Sequence, residues 1–94
     1  MFVLEVTYLA PIETVEPLVE AHMQWVAEGY ARGWFQASGR KIPRTGGIIL
    51  ARGERAEIEA FLAEDPFVTG DVAAYAVTEV LFTRTVAGLD GLEG

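Results

Sequence analysis

Apolar and polar positions alternate at the start of the chain. In Phe2-Val3-Leu4-Glu5-Val6-Thr7-Tyr8-Leu9, the residues Phe2, Leu4, Val6 and Tyr8 share one face. Val3 and Leu9 keep the other face partly apolar around Glu5 and Thr7, so the period of two predicts a strand with two semi-buried faces. Ala10-Pro11-Ile12 interrupts it, and the period lengthens. Val15, Leu18, Val19, Trp25, Val26 and Tyr30 recur at helical spacing, with Glu16, Glu20 and Glu28 largely off that stripe. Thr14 is the expected cap and Gly33 the expected stop, and Pro17 is tolerated in a first turn whose amides have no intrahelical partner.

From Trp34 to Ala51 the pattern predicts a hairpin: a strand of aromatic and small residues, a basic loop, and a β-branched apolar strand. Glu54 to Glu64 predicts a second, shorter helix with Ile58, Phe61 and Leu62 inward, ended by Asp65-Pro66 because proline disfavours helical geometry in the residue before it. A loop or frayed turn follows from Phe67 to Val72. The last strand is expected over Ala74 to Arg84, with Tyr75, Val77 and Leu81 alternating with Ala76, Val80 and Phe82.

The order β-α-β-β-α-β predicts an α+β, ferredoxin-like fold, one antiparallel sheet with two helices on one face. Residues 1–84 form the single expected domain, and 85–94, with three glycines and no periodicity, a flexible C-terminal tail. Two helices cover one sheet face only. Val3, Leu9, Ile49, Val80 and Phe82, or their alternating neighbours, must lie on the other, and an apolar face of that kind marks an interaction surface. The expected partner is a second copy, packed sheet on sheet as a homodimer.

Composition narrows the chemistry. A chain of 94 residues makes one core. Although it is 51% hydrophobic, no apolar run approaches the ~20 residues that span a bilayer. No basic segment leads into an apolar one at the N-terminus, so a cytoplasmic address and no membrane partner are expected. With no cysteine, disulfides, thiolate metal sites and cysteine nucleophiles are excluded. A net charge of −7 disfavours nucleic acid. Thr45-Gly46-Gly47 is no phosphate loop, because a strand follows it and no Gly-Lys-Ser/Thr ending is present. A single histidine and no cysteine leave no ligand set at metal spacing. Neither a metal nor a cofactor is expected.

His22 falls on the inward stripe of the first helix, four residues after Leu18 and three before Trp25. It reads either as a satisfied core histidine or as a general base or acid, since only histidine titrates near neutrality unperturbed. Asp65 aims along the inward face of the second helix, at a C-terminal end where the helix dipole disfavours a carboxylate. A histidine arriving from the other helix would compensate that placement; the plain alternative is a solvated Asp-Pro turn. Ser38 and Gly39 end the first hairpin strand, where glycine permits close approach and a hydroxyl can bond a substrate oxygen. Arg40, Lys41 and Arg44 invert the field locally and suit a small carboxylate or phosphate, or merely a soluble loop tip. Trp25, Trp34, Phe35 and Phe67 suit either an apolar pocket or the core.

Gly29-Tyr30, Gly33, Ala37-Ser38-Gly39, Pro43-Arg44-Thr45-Gly46-Gly47 and Ala63-Glu64-Asp65-Pro66-Phe67, in this order, resemble the YciI-like (YCII-related) family. The resemblance spans Met1 to about Arg84. It implies a ferredoxin-like domain assembled as a dimeric α/β barrel, and an active site of a helix histidine with an aspartate before a proline. Those positions correspond to His22 and Asp65, with Ser38 at the matching strand end. Val19 stands where many members carry arginine, so the anion clamp such an arginine would form is missing unless Arg40 or Arg44 replaces it.

The resulting expectation is a small cofactor-independent enzyme in which a His-Asp pair moves a proton, as an isomerase or a dehydrochlorinase-like lyase, on an anionic or aromatic metabolite. His22, Asp65 and Ser38 are the expected catalytic residues, and Gly39, Arg40, Arg44, Trp25 and Phe67 the expected substrate contacts. The alternative is a small-ligand-binding or purely structural dimer.

Overall fold

In the computed structural model, which describes residues 1–94, the chain runs β1 (Phe2–Tyr8), α1 (Ile12–Val15), a 3-10 turn (Glu16–Leu18), α2 (Val19–Ala31), β2 (Phe35–Arg40), β3 (Gly46–Ala51), α3 (Arg55–Leu62), α4 (Pro66–Thr69) and β4 (Ala73–Glu79). The strands form one four-stranded antiparallel sheet in the order β2-β3-β1-β4. This is the ferredoxin-like arrangement that the order of elements predicts, with the alternating N-terminal stretch as a central strand.

Register assigns the faces. Leu4 pairs with Ile49 and Val77, and Ser38 with Ile49, so these side chains point to the helix side. Trp25 and Val26 of α2 and Ile58, Phe61 and Leu62 of α3 pack there against Phe2, Leu4, Phe35, Ile49 and Ala51. A second cluster, Val6, Val15, Phe67, Val72 and Ala73, closes the other end under α1 and α4. On the open face, Val3 lies beside Leu50, and Glu5 beside Ile48. Ile49 therefore belongs to the core, and its neighbours Ile48 and Leu50 take the open-face role expected of it.

The first helix starts at Ile12 after Pro11, two residues before the expected cap Thr14, and is not continuous. Pro17 has no amide to donate, and the chain tightens to 3-10 geometry around it before α2 resumes. Tyr30, expected inward, is 42% exposed at the end of α2. The last strand stops at Glu79, opposite Phe2, rather than at Arg84, with one further bond from the Val80 amide to the Met1 carbonyl. Leu81, expected in that strand, is 69% exposed. Beyond it the chain folds back: Phe82 bridges Glu93, Asp90–Leu92 form a 3-10 turn, and Arg52 donates to the Gly91 carbonyl.

Gly29 lets α2 close on β2, since a Cβ there would overlap the Phe35 ring. Gly46, with φ +152, lies so close to the Val6 carbonyl that any side chain would collide with it. Overpacking of this kind costs about 1–3 kcal/mol, so Gly29→Ala is expected to lower urea-unfolding stability by that amount. An unchanged midpoint would contradict the close α2–β2 contact.

Candidate active site

α2 carries His22 toward the sheet, and the junction of α3 with α4 brings Asp65 to meet it: His22 Nδ1 lies 2.8 Å from Asp65 Oδ1. Asp65 is fully buried, and His22 keeps 13% of its side chain exposed. Asp65 does not close the longer helix from its unfavourable end. It caps the N-terminus of α4, where Oδ1 accepts the Phe67 amide at 2.9 Å and a negative charge is favoured. The Pro66 that ends one helix starts the next, in place of the loop expected from Phe67 onward. On the other oxygen, Tyr75 of β4 donates its hydroxyl to Oδ2 at 2.6 Å.

Three donors thus converge on one carboxylate, which fixes the imidazole tautomer. An ionised carboxylate can only accept, so against it Nδ1–H is the donor on the histidine side. Nε2 is left for a ligand. Phe67 lies parallel to the imidazole with centroids 3.9 Å apart, and Trp25 is stacked 5.7 Å away. The ring is held by one hydrogen bond and two aromatic faces.

His22 lines a cavity of about 340 Å³ between α2 and the β1–β3–β2 side of the sheet, and no protein group bonds its Nε2. Ser38, Gly39, Arg40, Arg44 and Phe67 line it together with His22. Trp25 does not: it donates Nε1 to the Phe61 carbonyl at 3.0 Å, stacks on Phe61, and supports His22 from the core. Ser38 Oγ is 2.8 Å from the Tyr30 hydroxyl at the rim. Val19 lines the same cavity as Arg40 and Arg44. No three His, Cys, Asp or Glu side chains gather as a metal site.

The sequence pattern does not mark Tyr75 or Tyr8 for the site. Tyr75 reads as one of several inward residues of an alternating strand, and only the need of buried Asp65 for a further donor points to it. Tyr8, on the cavity wall edge-on to Phe67, has its hydroxyl beside Arg44; with Glu16 it raises the guanidinium's already high pKa. Burial, and then the adjacent Asp65 charge, push the Tyr75 phenol well above its ordinary value near 10. A proton retained by the folded chain but released by the unfolded one makes stability fall as pH rises past ~10. Urea melts on either side of that pH should show a smaller alkaline loss in Tyr75→Phe than in wild type; equal losses would contradict the phenol's placement.

The YCII-related domain family matches residues 1–81. No curated protein sequence matches the chain. Among solved structures, 5-chloro-2-hydroxyhydroquinone dehydrochlorinase (TftG) from Burkholderia phenoliruptrix AC1100, in complex with 2,5-dihydroxybenzoquinone, superposes with a TM-score of 0.70 at 18% identity, covering 85% of this chain and 93% of that one. At that identity the likeness establishes the fold alone.

Proposed function

The chain belongs to the YCII-related family, and on that premise we propose that it is a small cofactor-independent enzyme whose His22 moves a proton on a small molecule bound in the cavity. The observation that carries this reading is a lone imidazole with Nδ1 tied to a fully buried carboxylate and Nε2 left for the cavity. A general base needs a fixed ring and a free nitrogen within reach of the substrate proton. Asp65 and Phe67 supply the first; the cavity supplies the second.

His22 takes a proton from a hydroxyl or carbon conjugated with a carbonyl. The electron pair left behind flows into the conjugated system. It either expels a leaving group with its bonding pair, an elimination, or draws a proton onto another carbon, an isomerisation. Neither consumes an oxidant. Ser38, at the far wall, donates to or accepts from a substrate oxygen. The neighbouring fold, a dehydrochlorinase complexed with a dihydroxybenzoquinone, supports an aromatic-sized substrate and the elimination branch.

The same reading makes residues 1–84 one cytoplasmic domain, paired through the open sheet face into a dimeric α/β barrel. Half-buried Val3, Ile48 and Leu50 on that face support the pairing.

The test is turnover on hydroxylated and chlorinated aromatic rings with and without a ring carboxylate, starting with 5-chloro-2-hydroxyhydroquinone, followed by chloride release and the ultraviolet spectrum. General-base catalysis contributes ~10²–10⁴-fold, so His22→Gln should lose at least ~100-fold in kcat while ligand-induced stabilisation persists. Undiminished turnover in His22→Gln, or a wild type that binds such rings without converting any, would overturn the reading.

A further inference from the structure

Three basic residues crowd the hairpin loop, and the sheet sorts them. Lys41 turns to the open face, where its ammonium lies 3.1 Å from Glu5 and 3.3 Å from the Thr7 hydroxyl. Arg40 pairs in register with Gly47, which pairs with Val6, so it stands on the helix side of the edge strand and lines the cavity. None of the chain's ion pairs uses Arg40. Arg44 lines the cavity too, anchored by Nη1 to Glu16 at 2.8 Å. Its Nε is shielded from solvent and has no hydrogen-bond partner.

We propose that the cavity takes its ligand as a carboxylate, gripped by Arg40 and Arg44, with an apolar body lying along the wall toward His22. This rests on the reading of the cavity as a substrate site and names the substrate class. A planar guanidinium fork matches a carboxylate with two parallel hydrogen bonds, and inorganic phosphate, which the fork fits equally well, has no apolar body to lie on the rest of the wall. The rest of the wall, including Val19, Val26 and Ile49, is apolar and suits a hydrocarbon or ring body. In a chain of net charge −7, an exposed, unpaired arginine at the cavity wall is a local reversal of field that favours anions.

The experiment is calorimetric titration and thermal shift with benzoate, benzamide and inorganic phosphate, on wild type, Arg40→Gln, Arg44→Gln and His22→Gln. Benzoate should bind and raise the melting temperature, less so as salt is added, while benzamide and phosphate bind at least ~10-fold more weakly. Arg40→Gln, which breaks no ion pair, should weaken benzoate by ~10-fold or more, and Arg44→Gln likewise with an unchanged circular-dichroism spectrum. His22→Gln should leave benzoate affinity within ~3-fold. Benzamide or phosphate binding as tightly as benzoate, arginine variants with unaltered affinity, or no benzoate binding at millimolar concentration would each overturn the proposal. If arginine-dependent benzoate binding holds while His22→Gln retains turnover, the proton-transfer reading falls and the carboxylate site stands.

Discussion

The site depends on burying one carboxylate. Asp65 is fully excluded from water, and an ionised group in that position is tolerated only where its lone pairs are taken up. Its own helix supplies the Phe67 amide, β4 the Tyr75 hydroxyl, and α2 the His22 imidazole. Removing one partner of such an arrangement costs about 3–5 kcal/mol, because a charge is left buried and under-satisfied. The arrangement that orients His22 therefore also ties three separate elements of the fold together. Position and stability have one source, and a change at any of the three donors is felt in both.

Around that centre, the remaining constraints are steric. Gly29 allows α2 to seat on Phe35, and Trp25, anchored to the Phe61 carbonyl, sets how far α2 stands from α3. The cavity is the space left where α2 lifts from the β3–β2 edge, beyond the reach of the aromatic cluster. Its polar residues come from that edge and its loop and its histidine from the helix, so an imidazole and two cations line different parts of the same cavity.

Much of this is legible in the sequence where periodicity is strong. The alternation of Phe2, Leu4, Val6 and Tyr8 fixes the central strand, and the spacing of Leu18, His22, Trp25 and Val26 puts the histidine on the inward face of α2. Asp65 is visible as a partner for a less sound reason. It reads as a carboxylate misplaced at a helix C-terminus, whereas the chain starts a new helix there and the residue caps it. Local pattern misses this because Pro66 signals both the end of one helix and the first position of another. Tyr75 is missed because a strand residue facing inward looks the same whether it meets carbon or a carboxylate. The division of Arg40 from Lys41 is invisible until register assigns each a face, since adjacent strand residues point oppositely and only pairing to Gly47 says which is which.

The central claim is that Asp65 holds His22 in the tautomer that frees Nε2, and the protein's single histidine makes it directly observable. Nitrogen-15 proton correlation spectra, recorded on the neutral imidazole in wild type and Asp65→Asn, test it most directly. The account predicts a ring protonated on Nδ1 in wild type, with that preference lost in the variant. A wild-type ring protonated on Nε2, or a tautomer that ignores the substitution, would contradict it.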